Sequence, residues 1–196
     1  MRPFPSLMMM IPGPPQVVPA TYYFTPVGYN YFKIPPYNTL TLNIWGAGAG
    51  GGTSGAGENG TNGVSSLFYD GITTPTAGGG SGFGSGGTAT GGNTNLSGGS
   101  SGENLEGGSS PYGGGTSGGH GNYPGGGGAG GSGGGGGPGG PGNYPLGGGG
   151  GAFCQRIYLP GNLTIGTTYT LYVGSAGLGS SYGYNGANGE IEIIVA

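Results

Sequence analysis

The residues of this 196-residue chain that could do chemistry are few, and their spacing narrows them further. Glu190 and Glu192 stand two apart and could work as an acid and a base. They alternate with Ile191, Ile193 and Val195, however, and that alternation is the mark of a strand with one buried and one wet face. His120 has no second histidine and no carboxylate close in sequence to orient it, so neither a triad nor a metal site is expected there. Cys154 is the only cysteine, which excludes an internal disulfide and a cysteine zinc site. Gly82, Gly84 and Gly87 fit G-x-G-x-x-G, but a chain this rich in glycine matches it by chance, and no strand-to-helix frame surrounds it. Lys33 is the only lysine and is not part of a phosphate loop, and Asp70 is the only aspartate, too few for calcium-binding repeats. The chain is expected to be no enzyme and to carry no cofactor or metal.

What must position these residues is an unusual polymer. Glycine (59) and proline (16) together make up about 38% of the chain, against roughly 12% in ordinary proteins. Three basic and six acidic residues give a net charge of −3. Three cations cannot neutralise a row of phosphates or hold an anionic membrane, so nucleic acid is not an expected partner. The run Leu7 to Ile11 is five residues long, far short of the ~20 that cross a bilayer, and no membrane insertion is expected.

Composition shifts divide the chain into an arm, two parts of a β scaffold and an insertion between them. Residues 1–20 form a Pro-rich apolar arm whose six prolines favour an extended path. Leu7, Met8, Met9, Met10 and Ile11 make an apolar patch in it that suits docking on another chain. Residues 21–196 read as one glycine-rich domain, with scaffold at 21–77 and 152–196 and the insertion at 78–151. Period-two patterns predict strands at Thr21–Phe24, Tyr29–Ile34, Thr39–Trp45, Val64–Tyr69, Ala152–Tyr158, Tyr169–Val173 and Glu190–Val195. Pro26-Val27-Gly28 and Pro35-Pro36-Tyr37-Asn38 supply turns, so the pairing is expected to be antiparallel.

Glycine makes up 39 of the 74 residues of the insertion, without the three-residue sequence period of collagen. Such runs can pack as extended threefold helices in which every N–H bonds sideways to a neighbouring carbonyl. A Cβ would have no room there, Gly126 and Gly135 being central examples. The fold class expected is thus all-β with an irregular glycine-rich part: an antiparallel β scaffold clamping a bundle of polyglycine II helices. The insertion repeats Asn-Tyr-Pro once, with Tyr123 and Tyr144 separated by 21 residues. A reversal between them would bring Asn122, Tyr123, Asn143 and Tyr144 to one end of the bundle, with His120 and Tyr112 nearby, as an aromatic and amide receptor-binding surface.

These pieces resemble the glycine-rich domain of bacteriophage tail proteins and of the tail-fibre tip adhesins of T-even-like phages. The likeness lies in Phe24-x-x-Val27-Gly28 leading to Phe32-x-Ile34-Pro35, in Ile44-Trp45-Gly46-Ala47-Gly48, and in Tyr169 to Gly174 with Gly189 to Ile194. It implies a β scaffold holding polyglycine II helices whose loops contact a protein or glycan on the host surface. The resemblance implies a virion protein, and the apolar arm is expected to join it to another virion protein. Two other functions fit the same composition. One is a purely structural tail or capsid decoration protein, and the other is an ice-binding or extracellular glycine-rich protein.

Overall fold

The computed structural model describes residues 16–53, 60–82, 84–101, 107–112, 145–180 and 185–196. The arm patch Leu7–Ile11, Gly126, Gly135, and His120, Asn122, Tyr123, Asn143 and Tyr144 lie outside them.

Twelve strands form among the described residues, and no helix does. They are β1 (Ala20–Phe24), β2 (Gly28–Lys33), β3 (Leu40–Trp45), β4 (Gly52–Thr53), β5 (Ser66–Tyr69), β6 (Thr76–Ala77), β7 (Ala89–Thr90), β8 (Thr94–Leu96), β9 (Pro145–Leu146), β10 (Phe153–Tyr158), β11 (Thr168–Val173) and β12 (Glu190–Val195). Two five-stranded antiparallel sheets result, ordered β1-β12-β3-β10-β8 and β2-β11-β5-β6-β7, with β4-β9 as a separate pair. The two outer scaffold segments do pair across the insertion, since β3 lies between β10 and β12. The insertion is not wholly outside the scaffold, because β7 and β8 extend one edge of each sheet. Their Ala, Thr and Leu side chains can pack where glycine cannot.

The sheets face each other across one apolar core. Leu40, Leu42 and Ile44 sit opposite Val195, Ile193 and Ile191 in register, and all six are buried. Phe32, Phe68, Leu171 and Val173 face them from the second sheet. Each such side chain contributes about 1.5–3 kcal/mol by burial, so the alternating strands carry the hydrophobic stabilisation that the glycines cannot. Both edges are closed by short crossings from one sheet to the other. At the β1–β2 crossing Gly28 has φ 103°, a conformation that a residue with a Cβ adopts only under strain. Phe24 packs edge-on to Phe32 across that corner, 5.9 Å between centroids.

At one end of the sandwich the strands run on into glycine. In register, Trp45, Phe153 and Glu190 lie together at that end, as do Val173 and Ser66 with Ala77 and Ala89 on the other sheet. The chain therefore leaves β3, β6, β8 and β11 there and enters β5, β7, β10 and β12 from there. The resulting segments, among them 46–51, 60–64, 78–82, 147–152, 174–180 and 185–189, hydrogen-bond one another. Segment 46–51 gives the rule. Gly46 and Ala49 donate to Ala152 and Gly149; Ala47 and Gly50 donate to Val64 and Thr61; Gly48 donates to Ala187. Successive N–H groups turn to three neighbours in rotation and return to the first after three residues. A strand would alternate between two directions, and an α-helix would bond to itself. The same step of three joins Thr61 and Val64 to Leu178 and Ser175, and Gly149 and Ala152 to Ser81 and Gly78.

Backbones this close leave no side-chain room. A Cβ on Gly46 would fall on the carbonyl of Gly78, one on Gly63 on that of Ala47, and one on Gly151 on that of Gly46. Each lateral hydrogen bond contributes about 0.5–1.5 kcal/mol, against an ordering cost of about 1–2 kcal/mol per residue. The deficit explains why the segments grow from the ends of strands, which fix their position and direction in advance.

Candidate functional site

Tyr112 is the one expected receptor-binding residue within the described segments. It ends segment 107–112, and its backbone is held at φ 56° while its side chain is 75% exposed. A non-glycine residue in the left-handed region costs of order 1 kcal/mol or more and persists where its surroundings hold it. Here the hold is visible. The Tyr112 ring meets Phe153 edge-on at 5.0 Å, and Phe153 tilts against Trp45 at 5.1 Å. The indole Nε1 of Trp45 donates to the carbonyl of Pro111 at 3.1 Å, which pins the residue before Tyr112.

Beside this aromatic row lies a polar one on the same outward face of the first sheet. The register places Tyr23 opposite Glu192, Glu192 opposite Asn43, Asn43 opposite Gln155 and Gln155 opposite Thr94. The row is bonded side to side: Asn43 Nδ2 donates to Glu192 Oε2 at 2.7 Å, and Gln155 Nε2 donates to Asn43 Oδ1 at 2.9 Å. The hydrogen bond to the Glu192 carboxylate, with that carboxylate's negative charge, raises the pKa of the Tyr23 phenol. Together Asn43, Trp45, Thr94, Tyr112, Phe153, Gln155 and Glu192 line a cavity of about 260 Å³. Aromatic faces beside a fixed amide and carboxylate row can stack on a ligand's C–H surface and hydrogen-bond its hydroxyl or amide groups.

Glu190 departs from the expected wet face: it opens β12 and is only 4% exposed. The sequence also did not single out Trp45, Phe153, Asn43 and Gln155. Period two could place Thr41, Asn43 and Trp45 on the face opposite Leu40, Leu42 and Ile44. Which strand lay beside them depended on register across more than a hundred residues of chain.

Two buried polar groups are structural. The Asp70 carboxylate accepts the backbone N–H groups of Ile72, Thr73 and Thr74, the Thr73 hydroxyl and the Tyr158 hydroxyl, at 2.8–3.0 Å. Burial pushes its pKa up, but those hydrogen bonds outweigh burial and hold it at about 2. The turn it organises contains Thr74 at φ 46°. Burial pushes the Cys154 thiol up to about 11, so it is protonated and a poor nucleophile at neutral pH. Among the described residues no group of His, Cys, Asp and Glu is arranged to hold a metal ion. No helix among them is long and apolar enough to cross a membrane. Comparison of the chain with protein-family models, with curated proteins and with solved structures gives no match.

Proposed function

We propose that this chain is a non-catalytic recognition protein of a phage particle, a tail-fibre tip adhesin that binds a receptor on the host bacterial surface. The observation that carries the reading is Tyr112: an exposed tyrosine in a strained backbone, braced by Phe153 and by the Trp45–Pro111 hydrogen bond, at the mouth of a cavity walled by amides and a carboxylate. Strain kept at an exposed aromatic serves presentation rather than stability. The three-residue rotation of hydrogen bonds around 46–51 supports a bundle of polyglycine II helices as the rigid base. Glycine backbones packed side by side fix the neighbouring loops without needing a second hydrophobic core. In this reading the protein sits on the virion surface, and the arm joins it to another virion protein.

Adsorption of the fluorescently labelled protein to a panel of bacteria tests the reading. Binding to some strains and not others is expected, with Tyr112→Ala reducing it. Uniform absence of binding across a panel that includes the natural host would overturn it.

A second reading, a purely structural virion component, draws on the outward face of the second sheet. Tyr29 and Tyr31 stand out from it at 64% and 68% exposure. Particles that assemble without the protein but fail to adsorb favour the adhesin, whereas particles that fail to assemble favour the structural role.

A further inference from the structure

Among the described residues, Glu192 is the only charged side chain that lines the Tyr112 cavity. Its carboxylate is half-buried, and the two partners it holds are neutral: the Asn43 amide, at 2.7 Å, and the Tyr23 hydroxyl. A carboxylate offers about four acceptor sites, so two neutral donors leave room for a further one. The described cations are directed elsewhere. Arg156 lies 5.7 Å over the Tyr158 ring and donates to the carbonyl of Gly91, and Lys33 stands on the second sheet opposite Thr168. Arg2 lies outside the described residues. With a net charge of −3 on the chain, the wider field also favours a cationic ligand over an anionic one.

The rest of the cavity suits more than a bare cation. Asn43 Nδ2 and Gln155 Nε2 each commit one hydrogen to the polar row. Their second hydrogens, the Gln155 carbonyl and the Thr94 hydroxyl are placed to meet a ligand's hydroxyl groups. Tyr112 offers an exposed ring, whereas Trp45 and Phe153, at 6% and 3% exposure, back that ring and give a ligand little surface of their own. An aromatic face for C–H groups beside fixed polar atoms for hydroxyls fits a pyranose. The volume of about 260 Å³ is below the roughly 300–1,000 Å³ of sites for drug-sized ligands, which limits the occupant to about one ring. A lysine tip would meet the carboxylate but bring no hydroxyls to the amide row. A neutral sugar would use the row and leave the carboxylate without a counter-charge.

We propose that the Tyr112 cavity binds an amino sugar, its pyranose ring lying on Tyr112 and its free ammonium group on the Glu192 carboxylate. This rests on the recognition role proposed above and deepens it by naming the chemical class of receptor.

The test titrates the full chain with glucosamine, galactosamine and mannosamine, with the N-acetyl form of each, with the parent hexoses and with butylamine. At least one amino sugar is expected to bind about tenfold or more tightly than its N-acetyl form and its parent hexose, which lack the charge, and than butylamine, which lacks the ring. Raising the salt from 50 to 500 mM should weaken the amino sugar and leave the hexose unaffected. Glu192→Gln keeps an acceptor for Asn43 and removes the charge; amino and N-acetyl sugars should then bind alike, within about twofold. Tyr112→Ala should weaken the amino sugar at least about fivefold with unfolding temperature unchanged. Absence of binding by all three amino sugars, N-acetyl sugars or hexoses that bind as tightly, or a preference for the amine that survives both Glu192→Gln and high salt would overturn the proposal. Butylamine binding as tightly as the best amino sugar would assign the cavity to a lysine side chain instead and overturn it too. Bacterial adsorption without amino-sugar binding would sink this inference and leave the adhesin reading standing. Amino-sugar binding without adsorption would do the reverse.

Discussion

The indole N–H of Trp45 donates to the carbonyl of Pro111 at 3.1 Å, tying the last residue of β3 to the loop that presents Tyr112. The bond spans 66 residues of chain and sits where the sheet gives way to glycine. One side chain thus serves the aromatic row through Phe153 and the loop through its nitrogen.

Trp45→Phe keeps most of the ring and removes the donor. The carbonyl of Pro111 can turn to water, so the expected stability loss is modest, about 0.5–1.5 kcal/mol. Receptor adsorption should fall more than stability does, because the residue before Tyr112 loses its anchor. Urea unfolding and adsorption measured on the same variant check this; a large stability loss with unaltered adsorption would contradict it.

Gly63 and Gly151 lie where a Cβ would meet the carbonyls of Ala47 and Gly46. Gly63→Val and Gly151→Val should each destabilise by about 1–3 kcal/mol or more, as overpacking does. Gly161, at φ 92° with open space around it, provides the contrast. Gly161→Asn should cost less than either valine variant and only through backbone strain, since asparagine tolerates the left-handed region better than other residues with a Cβ. Thermal unfolding of the three variants separates lack of room from backbone strain.

Asp70 makes stability depend on acid. Its pKa is about 2 in the fold, below the ordinary 3.8, so the folded state binds its proton less readily than the unfolded chain does. The stabilisation is fully present above the ordinary value and is lost as pH falls from about 4 through 2. Asp70→Asn should flatten that limb of the urea midpoint against pH, and should destabilise the protein at pH 7 because three N–H groups lose a charged acceptor. A parent midpoint constant between pH 5 and pH 2 would contradict the assignment.

How far the sequence revealed this molecule depends on which period a residue obeys. Leu40, Leu42 and Ile44 announce a buried face by alternation, and their partners Ile191, Ile193 and Val195 do the same, so the antiparallel scaffold was legible. The rotation of Gly46 through Gly50 among three neighbours was not, because glycine carries no side-chain pattern from which a neighbour could be inferred. Glu190 and Glu192 looked equivalent, yet one is buried and the other holds Asn43. Their difference is one of position, Glu190 being the first residue of β12 and Glu192 lying within it opposite Asn43. Tyr112 was legible as an exposed aromatic beside proline and glycine. Its support from Phe153, 41 positions away by the numbering, existed only once β10 was in register with β3.

Segment 174–180 ends sideways on side chains. In a lattice of threefold chains the N–H groups of Ala176 and Gly179, three residues apart, would bond to one further chain. Here they bond instead to the side chains of Asn188 and Asn185, which are also three apart. The amide oxygens occupy the places that the next backbone's carbonyls would take, and so they close the edge. Asn188→Ala and Asn185→Ala should each leave an N–H without its partner, costing about 0.5–1.5 kcal/mol. The double variant should also self-associate through the opened edge, as an unprotected sheet edge does. Asn188→Asp keeps an acceptor oxygen in the same place and should retain the parent's stability at pH 7. Unfolding temperature and sedimentation velocity report the two effects separately. An alanine double variant that stays monomeric and as stable as the parent would show that these side chains close nothing.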